Sequence, residues 1–198
     1  MPSTPSALTW IRDALAVIGC GLMLAAGIAG MAAAKGREVT VDFDYAPGTI
    51  VIVNDERRLY YLLGGGRAIR YPVAVGTRGE LWVGRTFVSN MRVNPPWTPV
   101  DGGETVRGGI PSNPLGKRAL YLDWSLLRIH GTPSRGSIGR AASNGCIRML
   151  NEDVIELYQR VHIGAPVIAI NRHAEAERFL ETKVTGKQPA DSRRVSAR

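Results

Sequence analysis

The sequence predicts a mostly β domain, a sandwich or barrel of short strands with one or two short helices. Three observations carry this reading. Short apolar runs recur between Val39 and Ile170, closed by Gly, Asn, Asp and Pro residues of the kind that turn hairpins. Helical spacing of apolar residues within that region is confined to the stretch after Asn151. The composition, 44% hydrophobic and 21% charged over 198 residues, supports one domain with a proper core, plus tails.

Taken in order, Val39-Thr40-Val41-Asp42-Phe43 alternates and Pro47-Gly48 turns the chain. Residues 49–53 form a strand that Asn54-Asp55-Glu56 connects tightly to Leu59-Tyr60-Tyr61-Leu62-Leu63. Gly64-Gly65-Gly66 closes that strand, and the next runs from Ala68 to Val75. Residues 89–117 are rich in Pro, Gly and Asn, which predicts a long loop of functional or mobile character. Residues 119–122 and 126–129 read as strands leading into His130. Asn151 caps a short helix whose apolar face is Val154, Leu157, Tyr158 and Val161, at i, i+3, i+4 and i+7. Gly164-Ala165-Pro166 ends it, and residues 167–170 form the last strand. From 172 to 198 the chain is polar, with seven Lys/Arg against four Asp/Glu. A short helix over 174–181 and disorder from Gln188 onward are expected there.

Near the N-terminus, Arg12 precedes a run from Ala14 to Ala34 without a charged residue. At 1.5 Å per residue, such a helix would cover roughly the 30 Å hydrocarbon core of a bilayer. The run ends in Ala32-Ala33-Ala34, an A-x-A-like cleavage site before Lys35. A cleaved signal peptide and an uncleaved membrane anchor both fit, a buried core helix fits less well, and either of the first two exports the domain. Val17-Ile18-Gly19-Cys20 loosely resembles a lipoprotein box but follows Asp13 too closely for a good apolar region. The net charge of +8 draws a protein to polyanions. No basic recognition helix or aromatic-basic strand pattern accompanies it, so nucleic acid is not the expected partner.

The chain has two cysteines, and Cys20 lies in the N-terminal apolar run. Cys146 is left without an intramolecular disulfide partner. It sits in Ser143-Asn144-Gly145-Cys146-Ile147-Arg148-Met149, with His130-Gly131-Thr132 upstream. A thiol attacks carbonyls as its thiolate, and acyl transfer needs a nucleophile, a base and donors for an oxyanion. Gly145 permits a sharp turn that aims the N–H groups of Asn144, Gly145 and Cys146 at one oxygen. His130 is the candidate base, with the carbonyl of Gly131 free to orient its ring. Arg148 adds a charge that favours a thiolate and an anionic substrate group. A metal centre fits poorly, since one cysteine and the histidines His130, His162 and His173 lack metal spacing. Gly64-Gly65-Gly66 and Gly102-Gly103 precede no helix of a βαβ unit, which argues against phosphate binding.

These residues, with Asn151 and Asp153, resemble the active-site pattern of the YkuD-type L,D-transpeptidases. The likeness runs over roughly residues 47–171. It includes Leu59-Tyr60-Tyr61, Tyr71-Pro72-Val73-Ala74-Val75-Gly76, Pro96-Trp97-Thr98-Pro99 and Asn113-Pro114-Leu115-Gly116. The resemblance implies a mostly β, YkuD-like catalytic domain exported to the periplasm or the outer face of a bacterial membrane. It divides the chain into an export or anchor segment (1–34), a linker with a first strand (35–46), the catalytic domain (47–172) and a basic tail (173–198). It implies acyl transfer on peptidoglycan stem peptides without a cofactor or metal, with Cys146 as nucleophile, His130 as base and the Gly131 carbonyl orienting the ring. Asn144, Gly145 and Cys146 would supply the oxyanion hole, and Ser143, Arg148 and Trp97 would contact substrate. Carbapenem-type β-lactams are implied as covalent inhibitors. Asn144 stands where many members carry a second histidine, which leaves any side-chain relay at that position in question. Two other readings of the same residues are an L,D-carboxypeptidase or amidase that passes the thioester to water, and a non-catalytic wall-binding domain.

Overall fold

The computed structural model describes residues 36–172, apart from 124 and 125. The N-terminal apolar run, the basic tail and the helix expected over 174–181 lie outside the described residues. The strands are β1 (Arg37–Thr40), β2 (Ile50–Val53), β3 (Arg58–Gly64), β4 (Arg67–Gly76), β5 (Gly84–Val93), β6 (Arg118–Leu122), β7 (Arg128–Thr132), β8 (Ala141–Ser143), β9 (Ile147–Leu150) and β10 (Pro166–Ile170). One α-helix, α1 (Asn151–Tyr158), and a single 3-10 turn at Arg135–Ser137 complete the described elements.

The strands run in the order β1-β4-β3-β2-β10-β5-β6-β7-β9, and β9 pairs back onto β4 to close a barrel. The length of β4 makes the closure possible. Its first part pairs with β3, while Val73 and Ala74 pair with Met149 and Arg148 of β9. The short β8 runs parallel to the end of β4.

Strand β2 explains how a small barrel gains two cores. All four residues, Ile50-Val51-Ile52-Val53, are fully buried. Side chains alternate between the faces of a strand, so a continuous β-branched run implies cover on both. Ile50 and Ile52 point into the barrel with Leu59, Tyr71, Val73, Leu120, Ile129 and Met149. Val51 and Val53 join Tyr60, Leu62, Ile168 and Ile170 on the outer face, under Val39, Val41, Phe43 and Tyr45. Burial of each such Val, Leu or Ile side chain stabilises the fold by about 1.5–3 kcal/mol, so the barrel wall is a firm support for the site built on it. Helix α1 buries Val154 and Leu157 against that wall.

Strands β8 and β9 were not foreseen from the sequence, and three further local features differ from that reading. Strand β5 falls partly inside the expected loop, because Val88 is its one fully buried side chain and polar residues occupy both of its faces. Its place comes from ladder pairing with β10 and β6, which leaves no hydrophobic pattern. Strand β7 begins later than expected and continues through Thr132, so His130 sits inside the strand rather than beyond its end. Asn151 does not cap α1 but is its first residue. Its side-chain oxygen instead accepts the Lys117 N–H at 2.8 Å, tying the helix to the start of β6.

Candidate active site

Strands β7 and β9 lie side by side in parallel, with Ile129 opposite Ile147, His130 opposite Arg148 and Gly131 opposite Met149. Alternation then sorts the residues. Ile129, Ile147 and Met149 enter the core, while Arg128, His130, Thr132, Cys146 and Arg148 line one groove of about 450 Å³. Both residues singled out for nucleophilic chemistry therefore face the same space. Trp97, Ser143 and Asn144 also line it, whereas Gly145 lies buried beneath the turn.

The turn between β8 and β9 presents the cysteine. Ser143 is buried and its hydroxyl donates to the Cys146 carbonyl at 2.5 Å. Gly145 adopts φ +95°, a region that a side chain would strain, and an added Cβ would come within 2.9 Å of Leu127. The Gly145 carbonyl accepts the Trp82 indole N–H at 3.1 Å. Cys146 is a half-buried free thiol with Sγ 3.7 Å from the Leu126 carbonyl oxygen.

His130 is 4% exposed. Its Nδ1 lies 2.6 Å from the Gly131 carbonyl oxygen. A carbonyl can only accept, so Nδ1 carries the proton and Nε2 keeps its lone pair. Burial pushes the imidazole pKa down to about 4; the Gly131 carbonyl opposes that shift, and the charges of Arg148 and Arg128 reinforce it. The ring is therefore neutral at pH 7.

The groove carries the guanidinium-bearing residues Arg128 and Arg148 and no acidic residue among those lining it. Arg148 was foreseen from the sequence; Arg128 was not. Arg128 stacks over Tyr121, 5.1 Å from the ring centroid, and donates from Nη1 to the Leu126 carbonyl at 2.8 Å. Period-two spacing from His130 would have placed it on the same face once the strand was known to contain both. Trp97 belongs to the connection between β5 and β6 and bridges to Val106. Asn113, fully buried, holds that connection together: its amide donates to the carbonyls of Pro95 at 3.0 Å and Arg107 at 3.1 Å, and its oxygen accepts the Leu115 N–H at 2.8 Å. Among the described residues, no group of three or more His, Cys, Asp or Glu side chains is placed to hold a metal ion.

A closed β barrel that presents a free thiol and a neutral imidazole to one positively charged groove defines a candidate thiol acyl-transfer domain. The chain belongs to the YkuD family: residues 47–168 match the family model described as the L,D-transpeptidase catalytic domain. A relative from Escherichia coli strain K12, named "Probable L,D-transpeptidase YbiS", is 34% identical over an alignment 143 residues long that covers 64% of this chain and 46% of that protein. The chain thus spans about half the length of that curated relative. Among solved structures, L,D-transpeptidase 3 from Mycobacterium tuberculosis, in complex with a faropenem-derived adduct, superposes with a TM-score of 0.51 at 20% identity over 61% of this chain and 59% of its own. An LD transpeptidase in complex with imipenem gives a TM-score of 0.50 at 17% identity over 62% of this chain and 58% of its own. At these identities the likeness establishes the fold, mostly β with a barrel and one helix.

Proposed function

We propose that this chain is a peptidoglycan L,D-transpeptidase that works through Cys146. The observation that carries this reading is the pairing, in one groove, of the Cys146 thiol with a His130 ring whose Nδ1–H is committed to Gly131. The free Nε2 is then a base for the thiol. As Sγ attacks the carbonyl at the L-centre of the diamino acid in a tetrapeptide stem, Nε2 takes the thiol proton. The N–H groups of Asn144, Gly145 and Cys146 receive the oxyanion. Collapse expels the terminal D-alanine, whose amine takes the proton from Nε2, and leaves a thioester. An acceptor amine attacks the thioester, gives its proton to Nε2, and the departing sulfur recovers it.

Arg128 and Arg148 hold a free carboxylate of the donor, while Trp97 and Ser143 shape the groove. The side chain of Asn144 cannot act as a histidine would, but its backbone N–H remains available. The run 14–34 exports or anchors the domain, and the +8 net charge favours the anionic wall. The faropenem-derived adduct and the imipenem complex of the solved relatives support acylation of Cys146 by β-lactams.

Mass spectrometry of the purified chain with tetrapeptide-stem muropeptides, beside Cys146→Ala, tests the reading. Loss of D-alanine with a cross-linked or exchanged product, absent from the variant, is the expected result. Tripeptide as the only product in the presence of an amine acceptor would make the protein a carboxypeptidase. An unchanged substrate would leave a wall-binding domain.

A further inference from the structure

We propose that Trp82 is a positioning residue for the backbone N–H of Cys146. The indole N–H donates to the Gly145 carbonyl at 3.1 Å. That carbonyl and the Cys146 N–H belong to one planar trans peptide unit and point to opposite sides of it. Holding the oxygen on the Trp82 side therefore aims the N–H the other way. Gly145 is the residue at which this plane would otherwise turn most easily, since glycine has no Cβ to restrict its rotation. Ser143 fixes the next plane in the same manner, through the Cys146 carbonyl. The nucleophile thus lies between two peptide units, each held by a side-chain donor.

Trp82 is itself referenced to the barrel. Its carbonyl accepts the Asn54 side-chain N–H at 2.9 Å. Asn54 is 4% exposed, follows β2, and donates its backbone N–H to Ile170 of β10 at 2.9 Å. The half-buried indole packs against the main core. The segment leading to it lies along the nucleophile turn: Thr77 donates its N–H to the Ser143 carbonyl at 2.9 Å, and the Glu80 carbonyl oxygen stands 3.3 Å from where a Cβ on Gly145 would be. A path of hydrogen bonds therefore runs from β10 through Asn54 and Trp82 to the peptide that precedes the thiol.

The inference rests on the proposed acyl transfer, because an oxyanion forms only when the thiol attacks a carbonyl. That dependence supplies the test. Alkylation by iodoacetamide uses the same sulfur but generates no oxyanion, whereas acylation by imipenem passes through one. The full chain is compared with Trp82→Phe and with a chain carrying benzothienylalanine at position 82, in which sulfur replaces the indole N–H at nearly constant shape. Acylation is expected to slow by about tenfold, a fraction of the loss seen when an oxyanion donor is removed outright. Alkylation is expected to keep its rate. Equal acylation rates in the wild-type and benzothienyl chains would overturn the proposal, as would a parallel fall in acylation and alkylation. A wild-type chain that is alkylated but never acylated would sink the proposed function, and this inference with it. The benzothienyl chain decides the matter should Trp82→Phe fail to fold.

Discussion

The Nδ1 atom of His130 lies 2.6 Å from the carbonyl oxygen of Gly131, the residue that follows it in β7. This contact between chain neighbours fixes the tautomer without recruiting a carboxylate. An acidic partner would raise the imidazole pKa, whereas burial here lowers it to about 4. The rate of Cys146 acylation is therefore expected to show no histidine inflection near pH 6.5, with loss of the base only as pH approaches 4. Stopped-flow acylation by imipenem between pH 4.5 and 7.5 checks this; a halving of the rate near 6.5 would contradict a buried neutral base.

Stability should carry the same signature, opposed by a second group. His130 takes up its proton at about 4 in the native state against an ordinary 6.5, so native stability falls as pH drops through that window. Asp153 is fully buried on α1 with no hydrogen bond to either carboxylate oxygen. Burial, then Glu152 and Glu156, pushes it up to about 7 from 3.8. The native state keeps that proton where the unfolded chain loses it, so this contribution falls as pH rises from about 4 to 7. Each slope reaches at most about 1.4 kcal/mol per pH unit, and between pH 4.5 and 6.5 they offset one another. Asp153→Asn is expected to unmask a thermal midpoint that rises with pH relative to wild type. An identical pH slope in both chains, measured by circular dichroism, would refute the opposition.

The barrel was legible at β2, β3, β4, β6 and β10, whose apolar runs the sequence displays, whereas the equally buried β9 was read only as part of the motif around Cys146. The apolar runs at β2, β3 and β4 and the apolar face of α1 all report burial, and burial is what a hydrophobic pattern encodes. Strand β5 escaped because pairing to β10 and β6, with little burial, holds it in place. The candidate site was legible at Cys146, His130 and Arg148, whose chemistry or local motif marks them. Arg128 and Trp82 were not, because their meaning depends on which strand face they share and which distant carbonyl they reach. Asn151 shows the converse: its residue type favours a cap, and tertiary structure gave its side chain to Lys117 instead.

Gly131 should tolerate no side chain. A Cβ there would collide with the Asn151 side-chain oxygen and stand 3.2 Å from both the Lys117 nitrogen and a Val154 methyl carbon. Gly131→Ala must displace the oxygen that accepts the Lys117 N–H, and overpacking adds to that lost hydrogen bond. A loss of about 2–4 kcal/mol in urea unfolding is expected. In an Asn151→Gly background the same substitution should cost measurably less, because the collision is gone. Strict additivity of the two changes would show that the clash does not set the cost.

Arg128 should select donors by charge. Its guanidinium is planted in the groove wall by the Tyr121 ring and the Leu126 carbonyl, and its buried Nε has no hydrogen bond. With Arg148 across the β7–β9 ladder and no acidic residue lining the groove, a carboxylate is the group that such a surface takes up. A charge-assisted hydrogen bond contributes about 1.5–3 kcal/mol, so Arg128→Gln is expected to raise KM for a stem peptide with free carboxylates by about ten- to a hundredfold, with a smaller change in kcat. Donors amidated at the carboxylate that Arg128 contacts should bind wild type and variant alike, since they offer no charge to lose. Arg128→Lys keeps the charge but not the planar stack on Tyr121, and should fall between the two. A series of singly amidated tetrapeptides, assayed for KM and kcat on all three chains, identifies which carboxylate is read. An Arg128→Gln chain whose KM rises equally for every donor would mean that the arginine supports the groove wall rather than recognising charge.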